Sequence, residues 1–256
     1  MTDTAVDKTL AVLGGLAEHS RITDLARVTG LPKSTVHRLL RAMVDRGFAT
    51  VTEDGDYLAG PKVLRLAGSG LRPTDTVRRA RPALRALHHD TGNTVHLAML
   101  VGDELVYVDK VEADLPYRLA SRIGMSLPWH CTAIGKAVLA ALPAEELATR
   151  LDRTELTART PGSITGRRRL LAQLARIGRS GFALDDEENE VGVRCVGSAV
   201  RDHTGSVVGG VSVSALALER GIAQLTAVGP RVLRAAVEIS GQLGAAEAAL
   251  GGRGRA

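Results

Sequence analysis

The chain has 256 residues, 45% of them hydrophobic and 24% charged, with a formal charge of +5 and a pI near 9.6. That length suits one large domain or two ordinary ones, each able to bury a core, and the positive balance favours a polyanionic partner. Cys131 and Cys195 lie far apart without CxxC or Cys/His ligand spacing, which argues against a disulfide framework and a structural zinc site.

The N-terminus MTDTAVDKTL lacks a basic start and an apolar core, and the apolar run around 207–218 is interrupted by Gly and Ser. A soluble, cytoplasmic protein with no membrane partner is expected. The few aromatic residues leave little for a surface that stacks single-stranded bases, so double-stranded DNA is the better polyanion. No metal or other cofactor is expected.

Taken in order, Val6 to Glu18 carries apolar residues at 6, 10, 13 and 17 and predicts a first helix. From Ile22 to Gly47 the pattern predicts two short helices around Thr29-Gly30-Leu31, where Gly30 can take a positive φ. Pro32 suits the first turn of the second helix. Val36, Leu39, Leu40 and Met43 fall on one side of that helix, and Ser34, His37, Arg38 and Arg41 on the other. Such a pair can hold its second member in the major groove. There Arg38 and Arg41 are expected at base edges or phosphates, Ser34, Thr35 and His37 as helpers, and Lys33 on a phosphate. A hairpin of helices with a solvated basic face would show the same wheel, so the neighbours decide.

Six Lys or Arg face two acids between Arg21 and Arg46, and seven face one between Pro61 and His89, although the first sixty residues are close to neutral. Charge placed on elements in this way is expected of a folded DNA reader. After Gly47, FATVTEDGDYLAG alternates about an acidic turn and predicts a hairpin, completing a winged helix-turn-helix. The acidic tip is not expected to touch phosphate.

A short piece with Val63, Leu64 and Leu66 apolar then leads to a longer arginine-rich helix, Thr74 to Asp90. It serves equally as a contact between copies or within one chain. The expected boundaries are 1–60 for the reader, 61–73 for a linker helix, 74–250 for a second α+β domain and 251–256 for a disordered tail. In the second domain TVHLAML and ELVYVDKV form a hairpin, YRLASRI adds a strand, and CVGSAV and SVVGGVSVSAL flank a further turn. Helices are predicted at Thr132–Ala141, Ala144–Leu151, Gly166–Arg179 and Leu218 to about Leu250. Strands and helices without strict alternation argue for an antiparallel sheet flanked by helices.

GLPKSTVHRLLRAMVDRGF, LPWHCTAIGKAVLAAL and GFALDDEENEVGVRCVGSAVRDHTGSVVGGVSVSAL, in this order, resemble the isocitrate-lyase-regulator (IclR) family of bacterial transcription factors. The resemblance spans nearly the whole chain. It implies an α+β two-domain protein, with an N-terminal winged helix-turn-helix, a linker helix and a C-terminal GAF-like antiparallel sheet flanked by helices. It further implies an effector-responsive regulator, repressor more often than activator, that works as a homo-oligomer, a dimer or a dimer of dimers.

HCTAIGKAVLAAL places Thr132 and Ala133 where a helix begins, so free N–H groups there suit the carboxylate of a small organic acid. The resemblance carries Ala133 and Ile134 into effector-contacting positions, with Leu119 on the preceding strand, and places Asp185, Cys195, Ser212 and Ser214 around the same ligand. Ser212 and Ser214, two apart on a strand, face the same way. Ile134 departs from the smaller residue the family often has and narrows the pocket. Trp129 suits either a ligand wall or the domain core.

The bland readings are a buried apolar Cys195, serines that satisfy backbone, and Asp185 in a solvated acid run. Two other functions stay open. One is a thiol enzyme using His130 and Cys131, or Asp185 with Cys195. The other is a redox sensor joining Cys131 to Cys195.

Overall fold

The computed structural model describes residues 4–70, 73–114 and 119–246. The chain divides into two units, 1–75 and 76–256.

In the first unit α1 (Ala5–Gly15) opens on a capping box, with Asp7 N–H donating to Thr4 Oγ1 at 3.2 Å and Thr4 N–H to Asp7 Oδ2 at 2.9 Å. Of the expected stripe only Leu13 packs against the core. Val12 and the capping residue Leu16 point into the core, whereas Val6 and Leu10 are 65% and 59% exposed. The apolar residues of this helix lie on two sides, and only one side meets the helix pair.

Helix α2 (Ile22–Thr29) ends at Gly30, whose φ of 67° is the left-handed turn anticipated there. Pro32 is the cap of α3 (Lys33–Asp45), one position before the first turn. Val36, Leu39, Leu40 and Met43 are buried against Val12, Leu16 and Leu25, each burial being worth roughly 1.5–3 kcal/mol. The wing, β1 (Ala49–Val51) and β2 (Tyr57–Ala59), is an antiparallel pair closed by a turn in which Gly55 has φ 80°. Ser20 anchors it by accepting the Tyr57 N–H at 2.8 Å. Helix α4 (Pro61–Gly70) follows; Leu66 is exposed, and the side chain of Leu64 lies outside the described residues.

The second unit begins in α5 (Pro73–Thr91). Its six-stranded antiparallel sheet runs β5 (Ser126–Leu127), β4 (Glu104–Val111), β3 (Thr94–Val101), β8 (Val207–Leu216), β7 (Val193–Arg201), β6 (Ala183–Asp186). One face is covered by α5, α9 (Ile222–Thr226) and α10 (Gly229–Gln242), whose Leu84, Leu225 and Ile239 meet Val95, Leu97 and Val213. The other carries α6 (Ala133–Ala141), with α7 (Ala144–Asp152) and α8 (Arg167–Ser180) beyond it.

Alternation along β3 therefore sends Val95 and Leu97 to one face and His96 and Ala98 to the other. Gly210 of β8 and Gly197 of β7 are packing requirements. A Cβ at Gly210 would fall 2.9 Å from Ile134 Cγ2, and one at Gly197 would fall 3.0 Å from Ile134 N. Glycine here lets α6 lie flush on the sheet.

This is the α+β organisation anticipated, with three local corrections. The expected helix from Leu218 is broken: Gly229-Pro230 starts α10 afresh, and Leu218 itself is fully solvated. Strands β5 and β6 were not anticipated. The strand expected over 117–123 is absent over 119–123, so Leu119 lies in a loop, while 117–118 fall outside the described residues. The tail expected at 251–256 also lies outside them.

Candidate DNA-reading surface and ligand cavity

On α3, Lys33, Ser34, His37, Arg38 and Arg41 are exposed and Thr35 is half-buried, because the four apolar residues hold the opposite side inward. No acid occupies the first turn of α3, so its positive end is uncompensated there. Asp56, at the end of the wing turn, lies 3.6 Å from Arg21.

In the second unit a cavity of about 370 Å³ opens between the sheet, the turn preceding α6 and the 119–127 segment. Its lining brings together Leu119, Cys195 and Ser214 from the expected set, with Trp129 and Thr132. Ala133, Ile134, Asp185 and Ser212 are not part of it. The side chains of Ala133 and Ile134 are buried against the sheet, and Ser212 sits in register between His96 and Gly197. Thr132 caps α6 by accepting the Gly135 N–H at 3.0 Å. A Cβ at Gly135 would fall about 2.5 Å from the Trp129 carbonyl, so glycine is needed for the turn to close onto the helix.

Asp185 is not in a solvated acid run. It lies on β6, 2% exposed, and accepts N–H groups of Glu188 and Asn189 at 2.8 and 3.4 Å. Burial raises its pKa to about 7, against the opposing pull of Lys136.

The floor of the cavity holds residues that the sequence had not singled out. His96 Nε2 is 2.7 Å from Ser121 Oγ, and its Nδ1 is 3.3 Å from Ser214 Oγ, which in turn is 3.1 Å from Cys195 Sγ. Burial, helped by nearby Lys110, depresses the His96 pKa to about 3, so the ring is neutral. Tyr107 packs beside it with ring centroids 4.8 Å apart, and Arg159 stands exposed in the lining. A histidine inside the apolar strand TVHLAML was the available signal.

Residues 5–53 match the family profile described as the IclR helix-turn-helix domain, and residues 69–241 match that of the bacterial transcriptional regulator IclR C-terminal. The chain belongs to the IclR family. It is 36% identical to the HTH-type transcriptional regulator XynR of Escherichia coli K12 over 94% of this chain and 97% of that one. It is 33% identical to the acetate operon repressor of Salmonella typhimurium LT2 over 86% and 81%. The crystal structure of the Agobacterium tumefaciens repressor BlcR superposes with a TM-score of 0.73 at 29% identity, covering 94% of this chain and 98% of that one.

The IclR-family relatives are DNA-binding transcriptional regulators, not enzymes. The thiols of this IclR-family chain agree with that. Burial pushes Cys131 up to about 12 and Cys195 higher still, away from a reactive thiolate. Each bonds elsewhere, Cys131 Sγ to Asn189 Oδ1 at 3.8 Å and Cys195 Sγ to Ser214. His130 turns its Nε2 to the Thr157 carbonyl, 2.9 Å away. Among the described residues no group of three or more His, Cys, Asp or Glu is placed to hold a metal ion, and no helix is long and apolar enough to cross a membrane.

Proposed function

We propose that the chain is a repressor that reads a pseudo-palindromic operator through α3 and changes its hold on DNA when a small organic acid enters the cavity of the second unit. The observation that carries this reading is the cavity itself, with Arg159 in its lining and Thr132 at the start of α6. A guanidinium and a helix N-terminus are both favourable partners for a carboxylate. Binding shifts the regulator only if the acid prefers one arrangement of the protein over another. The reader acts as a dimer or a dimer of dimers, so that two α3 helices meet two half-sites. The exposed Val6 and Leu10 of α1 support self-association, since burying them against a second copy removes apolar surface from water.

The test is fluorescence anisotropy with the DNA upstream of the chain's own gene, at two salt concentrations, with and without a panel of small carboxylic acids. Saturable, sequence-selective binding altered by one acid supports the reading. Binding that is steep in salt but indifferent to sequence would leave only the charge argument standing. No binding would return the thiol chemistry to consideration.

A further inference from the structure

The start of α6 borders the first cavity, and its later turns border another hollow. A groove of about 510 Å³ lies between α6, α8 and α10 and reaches β7. That size is in the range of small-molecule sites. Each helix gives it a pair of apolar residues four apart: Ala137 and Ala141, Leu171 and Ala175, Leu233 and Val237. Among the described residues nothing fills it. Leu171 is 40% exposed, Ala175 is exposed, and a Cβ at Gly178 would meet only the Ala140 carbonyl, 3.9 Å away.

The polar side chains in the lining already hold backbone carbonyls. Ser198 Oγ donates to Gly181 at 2.8 Å and Ser240 Oγ to Ala236 at 2.6 Å, and Arg201 donates to Ala141 and Gly205 at 3.1 and 2.8 Å. A hydrocarbon chain lying along the groove breaks none of these bonds, and it takes Leu171, Leu233 and Val237 out of water.

The charge at the rim has one sign. Helix α8 carries five arginines and no acid, and no Asp or Glu stands in the groove lining. Arg167 is taken by Asp152. Among the described residues Arg168, Arg169, Arg176 and Arg179 have no ion-pair partner, and Arg179 is exposed in the lining itself. An apolar trough with an uncompensated guanidinium at its edge suits a ligand with an alkyl body and an anionic head.

We propose that this groove is a second ligand site, for an aliphatic carboxylate whose chain lies along α6 and α8 and whose head meets Arg179. The site is separate from the first cavity and stands whether or not that cavity senses an acid. Helix α6 joins the two, since its cap Thr132 lines the first cavity while Ala137 and Ala141 line the groove. A chain that prefers one placement of α6 therefore biases the first cavity as well.

Isothermal titration calorimetry of the full-length chain with octanoate and decanoate, below their micelle concentrations, tests the site. Decyltrimethylammonium is the control of opposite charge. Decanoate should bind one per chain and roughly tenfold tighter than octanoate, because two more methylenes leave water. The cationic amphiphile should bind at least about threefold more weakly than decanoate, and Arg179→Glu should erase that preference. Ala175→Phe puts a ring into the groove and should weaken decanoate at least about tenfold. Arg179→Glu changes an exposed side chain and keeps the test open if the phenylalanine variant does not fold.

No binding, or equal binding of the two acids, overturns the inference. Decanoate affinity unchanged in a folded Ala175→Phe protein puts the ligand elsewhere, the first cavity included, and overturns the site. A charge preference that survives Arg179→Glu overturns the role of Arg179. If decanoate does not bind and Ala175→Phe lowers the oligomer mass on a sizing column, the groove is a contact between copies and the inference falls.

Discussion

Lys136 Nζ on α6 lies 2.5 Å from Glu188 Oε1 in the turn after β6, with the lysine side chain fully enclosed. Glu188 Oε2 has no hydrogen-bond partner among the described residues. Breaking a buried pair on one side leaves an uncompensated charge. Lys136→Met should therefore cost about 3–5 kcal/mol, whereas the double replacement Lys136→Met with Glu188→Leu should recover most of it. Urea unfolding followed by far-UV circular dichroism reads both. Equal losses in the single and double variants would contradict this account.

Asp185, beside that pair, gives a pH dependence. Its folded pKa, about 7, lies above the unfolded carboxylate value, so the fold favours the protonated form. Its contribution to stability should fall as pH rises from about 4 to about 7 and level off above. Asp185→Asn keeps an oxygen for the N–H groups of Glu188 and Asn189 and should flatten this slope, matching or exceeding the wild type at pH 8. A slope unchanged in the variant would count against the shift.

On the reader, Arg38→Ala should weaken operator binding by roughly 1–3 kcal/mol and relax the preference at one base pair. Lys33→Ala should weaken all sequences alike and lower the salt slope by about one. Anisotropy titrations over a salt series separate the two. An Arg38 variant with unchanged affinity and preference removes it from the base-reading set.

The reader was legible because its signals are local. The α3 stripe, Gly30 and the wing turn are each set within a few residues, and all three hold. The stripe of α1 was misread because Val6, Leu10, Val12 and Leu16 are all apolar, and only tertiary packing says which pair faces in.

The site was harder to read, since its determinants are distant in sequence. Asp185 and Glu188 are buried because Lys136, some fifty residues earlier, lies across from them; composition alone makes LDDEE look solvated. His96 becomes a floor residue only once β3 pairs with β8 and brings Ser214 to it. The two-residue β5 is too short to carry a periodicity.

Self-association is tested on α1. Val6→Ser with Leu10→Ser removes exposed apolar surface without touching Val12 or Leu16, so the fold should persist while the oligomer weakens. Light scattering on a sizing column at low micromolar protein should show a shift to smaller species. An unaltered mass would move the contact elsewhere.

The two thiols should be slow. Iodoacetamide should label native Cys131 and Cys195 at least about tenfold more slowly than free cysteine at pH 8, and peroxide should leave DNA affinity unchanged. Rapid labelling, or peroxide-dependent release of DNA, would reinstate a redox role.

Trp129 is the chain's single tryptophan, and it stands in the cavity wall with the Arg150 guanidinium 4.7 Å above its ring. Indole emission depends on nearby charge and on water at the ring, and an occupant of the cavity alters both. The protein thus carries its own optical probe in the cavity wall. With a dye on the operator, the proposed filling of the cavity and its proposed effect on DNA binding would be read as two colours of one titration on unlabelled protein.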